Sequence, residues 1–172
     1  MASKKKRYVF LDRDGTFLWE PERPKGADPR ETFPLQSMEE FEFMDGAIKG
    51  MSTLVKRGYK LVMVTNQTFL GTSKHPRKMF NKVMQKIDND LGKEGIRFDF
   101  IMVCPHGPDE GCECRKPSIG GLQHYLKKER NPNLSQSLMF GDRDTDGQFA
   151  KNLGVRFVKI KTNGSFELPK KI

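Results

Sequence analysis

No apolar run in this chain approaches the roughly 20 residues that a membrane-spanning helix needs. The opening Met1-Ala2-Ser3-Lys4-Lys5-Lys6-Arg7 passes straight into Tyr8–Leu11, shorter than the apolar stretch of about 7–15 residues in a secretory leader. A membrane role is therefore not expected, and a cytoplasmic location is. Cysteine is scarce: three in 172 residues, an odd number that a disulfide framework would not use up. Acidic excess is missing too, since 31 Lys and Arg face 22 Asp and Glu for a net charge of +9. That balance suits anionic partners. The basic residues are nevertheless scattered (Lys56, Lys60, Lys127, Lys128, Lys170, Lys171) and not gathered beside aromatics, which disfavours a nucleic-acid face without closing that option. The tetrad Lys4–Arg7 could pass for a targeting signal but reads better as a frayed, solvated start. With no internal repeat and no linker, the 172 residues read as one domain, with a core over about residues 7–161 between polar termini.

What is present is alternation. Tyr8–Leu11, Lys60–Thr65, Phe98–Cys104, Ser137–Phe140 and Val155–Ile160 are short apolar runs that read as buried strands. Between them lie stretches of helical spacing: Ala47, Met51, Leu54 and Val55; Phe80, Val83, Met84, Ile87 and Leu91; Ile119, Leu122, Tyr125 and Leu126; Phe149, Ala150 and Leu153. Strands alternating with helices predict a mainly parallel sheet with helices on both faces. Residues 17–44, with four prolines and little periodicity, read as a long ordered flap. The tail from Lys161 is expected to be loose.

The polar residues cluster at strand ends, where open parallel sheets bind ligands. Asp12 and Asp14 follow the first strand, Thr65 and Asn66 the second, a cysteine loop and Lys116 the third, and Asp142 and Asp146 the fourth. Two carboxylates one residue apart at the mouth of a buried strand repel and resist desolvation unless a cation or a reaction holds them. Phosphoryl transfer fits the set, because it depends on positioning and charge neutralisation. Asp12 would be the nucleophile, forming an aspartyl phosphate, and Asp14 the general acid and base. Thr65 and Asn66 would donate hydrogen bonds to the phosphoryl oxygens, and Lys116 would add positive charge. Asp142 would be the distal ligand of a Mg²⁺ shared with Asp12. Asp146 would either orient Lys116 or back up the metal.

Together, Asp12-x-Asp14-Gly15-Thr16, Thr65-Asn66-Gln67, Lys116 and Gly141-Asp142-x-x-x-Asp146 resemble the four motifs of the haloacid dehalogenase superfamily of phosphatases. The resemblance implies a three-layer α/β/α sandwich with a Rossmann-like sheet and a minimal cap. It also implies that the backbone carbonyl of Asp14, not its carboxylate, faces the Mg²⁺.

Cys104, His106, Cys112 and Cys114 fall within eleven residues. Three thiolates and an imidazole match a closed, structural Zn²⁺ site; buried inert thiols or a redox pair are the alternatives. A stiff loop there would deliver Arg115 and Lys116 to the phosphate. His75 reads as a loop or N-cap residue and His124 as an ordinary helix residue. The run Cys-Pro-His … Cys-x-Cys-Arg-Lys-Pro is similar to that of histidinol-phosphate and heptose-bisphosphate phosphatases. Leu70-Gly71-Thr72, Arg143 with Thr145, and Glu20-Pro21 favour the former, in which the acid at Glu20 faces the substrate. Phe69 departs from that pattern, where smaller polar residues are usual. The expectation is a Mg²⁺-dependent hydrolase of a small-molecule phosphate monoester, L-histidinol phosphate first, in a monomer or weak dimer. A heptose-bisphosphate or other sugar-phosphate phosphatase, a DNA 3′-phosphatase and a zinc-stabilised binding module without activity are the alternatives.

Overall fold

The computed structural model describes residues 5–129 and 132–172; Lys4 of the basic tetrad lies outside them. Five strands, β1 (Arg7–Leu11), β2 (Tyr59–Asn66), β3 (Phe98–Cys104), β4 (Leu138–Gly141) and β5 (Arg156–Lys159), form one sheet in the order β3-β2-β1-β4-β5. All four pairings are parallel, with Val9 opposite Leu61 on one side and Leu138 on the other. β1 is central and fully covered: Tyr8, Val9, Phe10 and Leu11 are all completely buried. That burial explains an unbroken apolar run in place of alternation.

Side chains alternate across the sheet, and each face carries its own core. Val9, Leu11, Leu61 and Met63 pack with Met51 and Leu54 of α1 (Ala47–Lys56) and with Val83, Ile87 and Leu91 of α2 (Arg77–Lys93). Tyr8, Phe10, Val62 and Val64 pack on the other face with Leu122, next to α3 (Gln123–Lys128), and with Phe149, Ala150 and Leu153 of α4 (Asp144–Leu153). This is the haloacid dehalogenase-like three-layer sandwich expected from the sequence. Because the strand order reverses at β1, the crevice between the ends of β1 and β4 is the topological switch point, where such sheets bind ligands.

Two local expectations need correction, and a third is narrowed. The helix anticipated through Ile119 is split: Gly120–Leu122 is a 3-10 turn, and α3 starts only at Gln123, as two successive glycines weaken helix initiation. The tail after Lys161 is not loose. Phe166 is 3 % exposed and stacks on Phe140 with ring centroids 4.9 Å apart, while its N–H donates to the Asp45 carbonyl at 2.8 Å. Its polar neighbours mask one large apolar anchor. His75 is the loop residue of the two readings offered, since Pro76 takes the N-cap position. It is buried to 1 % exposure, with Nδ1 donating to the Thr68 carbonyl at 3.0 Å and Nε2 without a partner.

Candidate active site

β1 ends at Leu11, so Asp12 leaves the sheet with its N–H bonded to the Phe140 carbonyl of β4 at 3.0 Å. That bond ties the first carboxylate to the strand that carries Asp142. Gly15 then turns the chain at φ +74°; a Cβ there would lie 2.8 Å from Asp142 Oδ2, so only glycine permits this approach. Asp12, Asp142 and Asp146 bring carboxylate oxygens within 4.8 Å of one another, all buried. Lys116 Nζ reaches into this group, donating to Asp12 Oδ1 at 2.5 Å and Asp146 Oδ1 at 2.7 Å. Asp146 also accepts from the Arg143 N–H at 3.0 Å, so the start of α4 fixes the carboxylate that orients the lysine.

Lys116 is positioned from behind by a reciprocal amide pair. Its N–H donates to Asn66 Oδ1 at 3.0 Å, and Asn66 Nδ2 donates to its carbonyl at 3.3 Å. Burial works against its charge, but Asp12 and Asp146 outweigh that and hold the ammonium above the ordinary lysine range. Burial pushes the Asp12 carboxyl up, opposed by Lys116 and reinforced by Asp142.

The remaining acids are paired with arginines. Asp14 accepts from Arg13 Nε at 2.9 Å and from Gln67 Nε2 at 2.7 Å; the same Gln67 nitrogen donates to Thr65 Oγ1 at 2.6 Å. The Asp14 carboxylate thus stands apart from the three-carboxylate cluster. Glu20 is 6 % exposed and hydrogen-bonded to Arg143, so the structure buries its carboxylate against a guanidinium and leaves Arg143 lining the cleft. Burial nonetheless raises the Glu20 carboxyl to about 7, with Arg143 pulling the other way.

Paired this way, the buried charges do not cancel. Asp12, Asp142 and Asp146 share one ammonium and, 4.0 Å from Asp142, the guanidinium that Glu20 already engages, so carboxylates outnumber cations in a desolvated pocket. A buried excess of that kind calls for a divalent cation. Outside it opens a cleft of about 770 Å³ whose lining includes Asn66, Lys116, Asp142 and Arg143 with Arg23, Arg30, Arg115 and Lys159. The cleft is therefore basic around an acidic cation pocket, which suits a phosphate bridging the two.

The four cysteine-loop residues also converge. Sγ atoms of Cys104 and Cys112 lie 3.6 Å apart and those of Cys112 and Cys114 3.7 Å; His106 Nδ1 is 3.6 Å from Cys104 Sγ and 3.3 Å from Cys114 Sγ. Metal–sulfur and metal–nitrogen bonds of about 2.3 and 2.0 Å in a tetrahedron give edges of roughly 3.5–3.8 Å, so the donors already outline one. The spacing is far too long for a disulfide, whose sulfurs sit at about 2.05 Å.

Several residues here had no assigned role in the sequence. Thr162 Oγ1 donates to Asp142 Oδ2 at 2.7 Å; Asn163 pairs with the Glu20 backbone in both directions and donates its N–H to the Gly15 carbonyl at 2.9 Å. Both follow the end of β5, so the strand-end rule applied to the fifth strand would have found them. Arg13 and Gln67 sat inside quoted motifs. Their function as partners of Asp14 is visible only in three dimensions.

The family model described as polynucleotide kinase 3 phosphatase matches residues 12–162. The chain is 37 % identical over 163 residues to the histidine biosynthesis bifunctional protein HisB of Legionella pneumophila (strain Lens), covering 95 % of this chain and 44 % of that protein. The same-named protein of Campylobacter jejuni subsp. doylei is 39 % identical over 153 residues, 89 % of this chain and 41 % of its own length. The chain thus spans less than half the length of these curated relatives. Among solved structures, D,D-heptose 1,7-bisphosphate phosphatase from B. bronchiseptica, complexed with magnesium and phosphate, superposes with a TM-score of 0.71 at 26 % identity, covering 88 % of this chain and 78 % of that one. A motif-bearing pocket at the switch point, matched along nearly its whole length by one family's pattern, leads to a single statement: this chain belongs to the polynucleotide kinase 3 phosphatase family, on a haloacid dehalogenase-type fold.

Proposed function

We propose that this chain hydrolyses a small phosphate monoester, L-histidinol phosphate, through an aspartyl phosphate on Asp12. The observation that carries the chemistry is the buried trio Asp12, Asp142 and Asp146 with Lys116 bonded to two of its members. The substrate follows from the relatives, named for histidine biosynthesis at 37–39 % identity, against 26 % for the heptose-bisphosphate enzyme.

In this reading Lys116 fixes the rotation of the Asp12 carboxylate and offers its charge to the incoming phosphoryl oxygens, which Thr65 and Asn66 would also bind. The Asp12 oxygen attacks phosphorus in line with the leaving alkoxide. Asp14, oriented by Arg13 and Gln67, protonates that alkoxide and later takes a proton from the water that frees Asp12. Arg143, steadied by Glu20, faces the leaving group. A Mg²⁺ held by Asp12, Asp142 and the Asp14 carbonyl would supply the positive charge that the pocket lacks. The cysteine loop would hold a structural Zn²⁺ through Cys104, His106, Cys112 and Cys114.

Steady-state kcat/KM on L-histidinol phosphate, heptose bisphosphate and a 3′-phosphorylated oligonucleotide, with Mg²⁺, tests this reading. Histidinol phosphate should lead, and Asp12→Asn should abolish turnover without unfolding the protein. Preference for another member of the panel would overturn the substrate, and no phosphate release from any would overturn the chemistry. One observation favours the sugar-phosphate reading: the Glu20–Arg143 pair presents a guanidinium, not a free carboxylate, to the leaving group.

A further inference from the structure

Arg115 lines the cleft beside Lys116, and its place in the motif suggests a phosphate ligand. Its hydrogen bonds describe something else. One terminal nitrogen donates both to the His106 carbonyl at 2.8 Å and to Thr68 Oγ1 at 3.3 Å, and the other donates to the Arg30 carbonyl. Those acceptors belong to three separate segments: the cysteine loop, the loop after β2, and the proline-rich flap. The flap is stitched to the same place twice more. Thr32 and Thr68 exchange bonds, Thr68 N–H to Thr32 Oγ1 at 2.9 Å and Thr32 N–H to Thr68 Oγ1 at 3.2 Å, both buried. Arg30 forks onto Asp109 at 2.8 and 3.1 Å.

The three ties differ in weight. Arg30 and Asp109 are exposed, at 52 % and 80 % of their side chains, so their pair is screened and contributes little. Arg115 is half-buried and satisfies two backbone carbonyls that lie far apart in the chain, which makes its loss the costly one. Lys116 does not depend on this clip, being held independently by Asn66, Asp12 and Asp146.

We propose that Arg115 is a positioning residue that pins flap residues 28–32 onto the cysteine loop and so builds the outer wall of the cleft, without contacting the phosphoryl group. The proposal rests on the reading of this chain as a phosphomonoesterase. It separates two functions that the adjacent pair Arg115-Lys116 would otherwise share: the lysine serves the reacting phosphate, the arginine the wall that confines the rest of the substrate. A loosened wall weakens binding of the whole substrate while the reacting centre stays intact, which places the effect in KM and not in kcat.

The experiment uses the full chain with its metals and the variant Arg115→Lys, which keeps the charge and loses the fork. KM for the preferred monoester of the panel should rise about tenfold with kcat within about twofold, since misplacing a wall costs less than misplacing a catalytic group. Competitive inhibition by inorganic phosphate should be unchanged. Trypsin should cut faster after Lys25 and Arg30, both in the flap, because cleavage follows local opening. Thr68→Val, which removes the hydroxyl shared by Arg115 and Thr32, should accelerate the same cuts. A weakened phosphate inhibition with no faster cleavage of the flap in either variant would overturn the proposal in favour of a phosphate contact. The trypsin result needs no substrate, so it stands or falls apart from the phosphatase reading.

Discussion

Replacing Asp142 with Asn tests the charge balance of the pocket directly. Its carboxylate lies within 4.8 Å of those of both Asp12 and Asp146. At an effective dielectric of about 20, two such charges repel by about 3 kcal/mol. Asp142 faces two of them, offset in part by Arg143 at 4.0 Å and by the Thr162 hydroxyl at 2.7 Å. Asp142→Asn is therefore expected to stabilise the metal-free protein by on the order of 1–2 kcal/mol. With Mg²⁺ the ranking reverses. At a free concentration 100 times Kd, linkage adds about 2.7 kcal/mol to the wild type. In a chain of this size that is a rise in Tm of about 5–10 °C. The Asn variant, short of one charged ligand, should lose most of the rise. Thermal melts of both proteins in Mg²⁺-free buffer without chelator and in saturating MgCl₂ give the four values. Equal Mg²⁺-induced rises, or a variant that melts below the wild type without Mg²⁺, would refute the reasoning.

Three further outcomes are expected. Cys112→Ser should lose bound zinc and melt at lower temperature together, because metal binding and folding of such a loop are coupled; full zinc content by elemental analysis with an unchanged melt would argue against a structural metal. Phe166→Ala should cost about 3–5 kcal/mol, or roughly 10 °C in Tm, and should weaken Mg²⁺-dependent stabilisation as well, since Thr162 and Asn163 share its segment; a loss under about 1 kcal/mol in urea titrations would show the tail to be peripheral. Burial holds His75 below its ordinary pKa, so the unfolded chain takes up a proton below about pH 6.5 that the folded chain refuses. Its stability contribution is whole above that pH and is lost as pH falls, at up to about 1.4 kcal/mol per pH unit. His75→Gln should flatten this slope between about pH 7 and pH 5.5, and an unaltered slope would assign the acid lability elsewhere.

The convergence of Asp12, Lys116, Asp142 and Asp146 was legible in the sequence because each of them follows a strand that can be read locally. A run such as Val9-Phe10-Leu11 can only be a covered strand, and polar residues at its end project to the sheet edge whatever surrounds them. The cysteine loop was legible for the same reason, its four donors being close along the chain. Side-chain partnerships were not. Nothing near Glu20 in the sequence marks Arg143 as its partner, 123 residues away, and nothing near Arg115 marks the carbonyl of Arg30, 85 residues away. The tail misled because Phe166, Leu168 and Ile172 are too few and too scattered among polar residues to show a periodicity.

By itself, then, the order of residues determined the alternating strands and helices, the strand ends at which chemistry could occur, and the residue types able to carry it. Tertiary structure alone decided which charges neutralise one another. It paired Asp14 with Arg13 and Glu20 with Arg143, set Lys116 between Asp12 and Asp146, and left carboxylates in excess of cations. Periodicity and motif spacing act over a few residues, whereas charge balance in a buried pocket depends on distances between segments that only packing brings within reach.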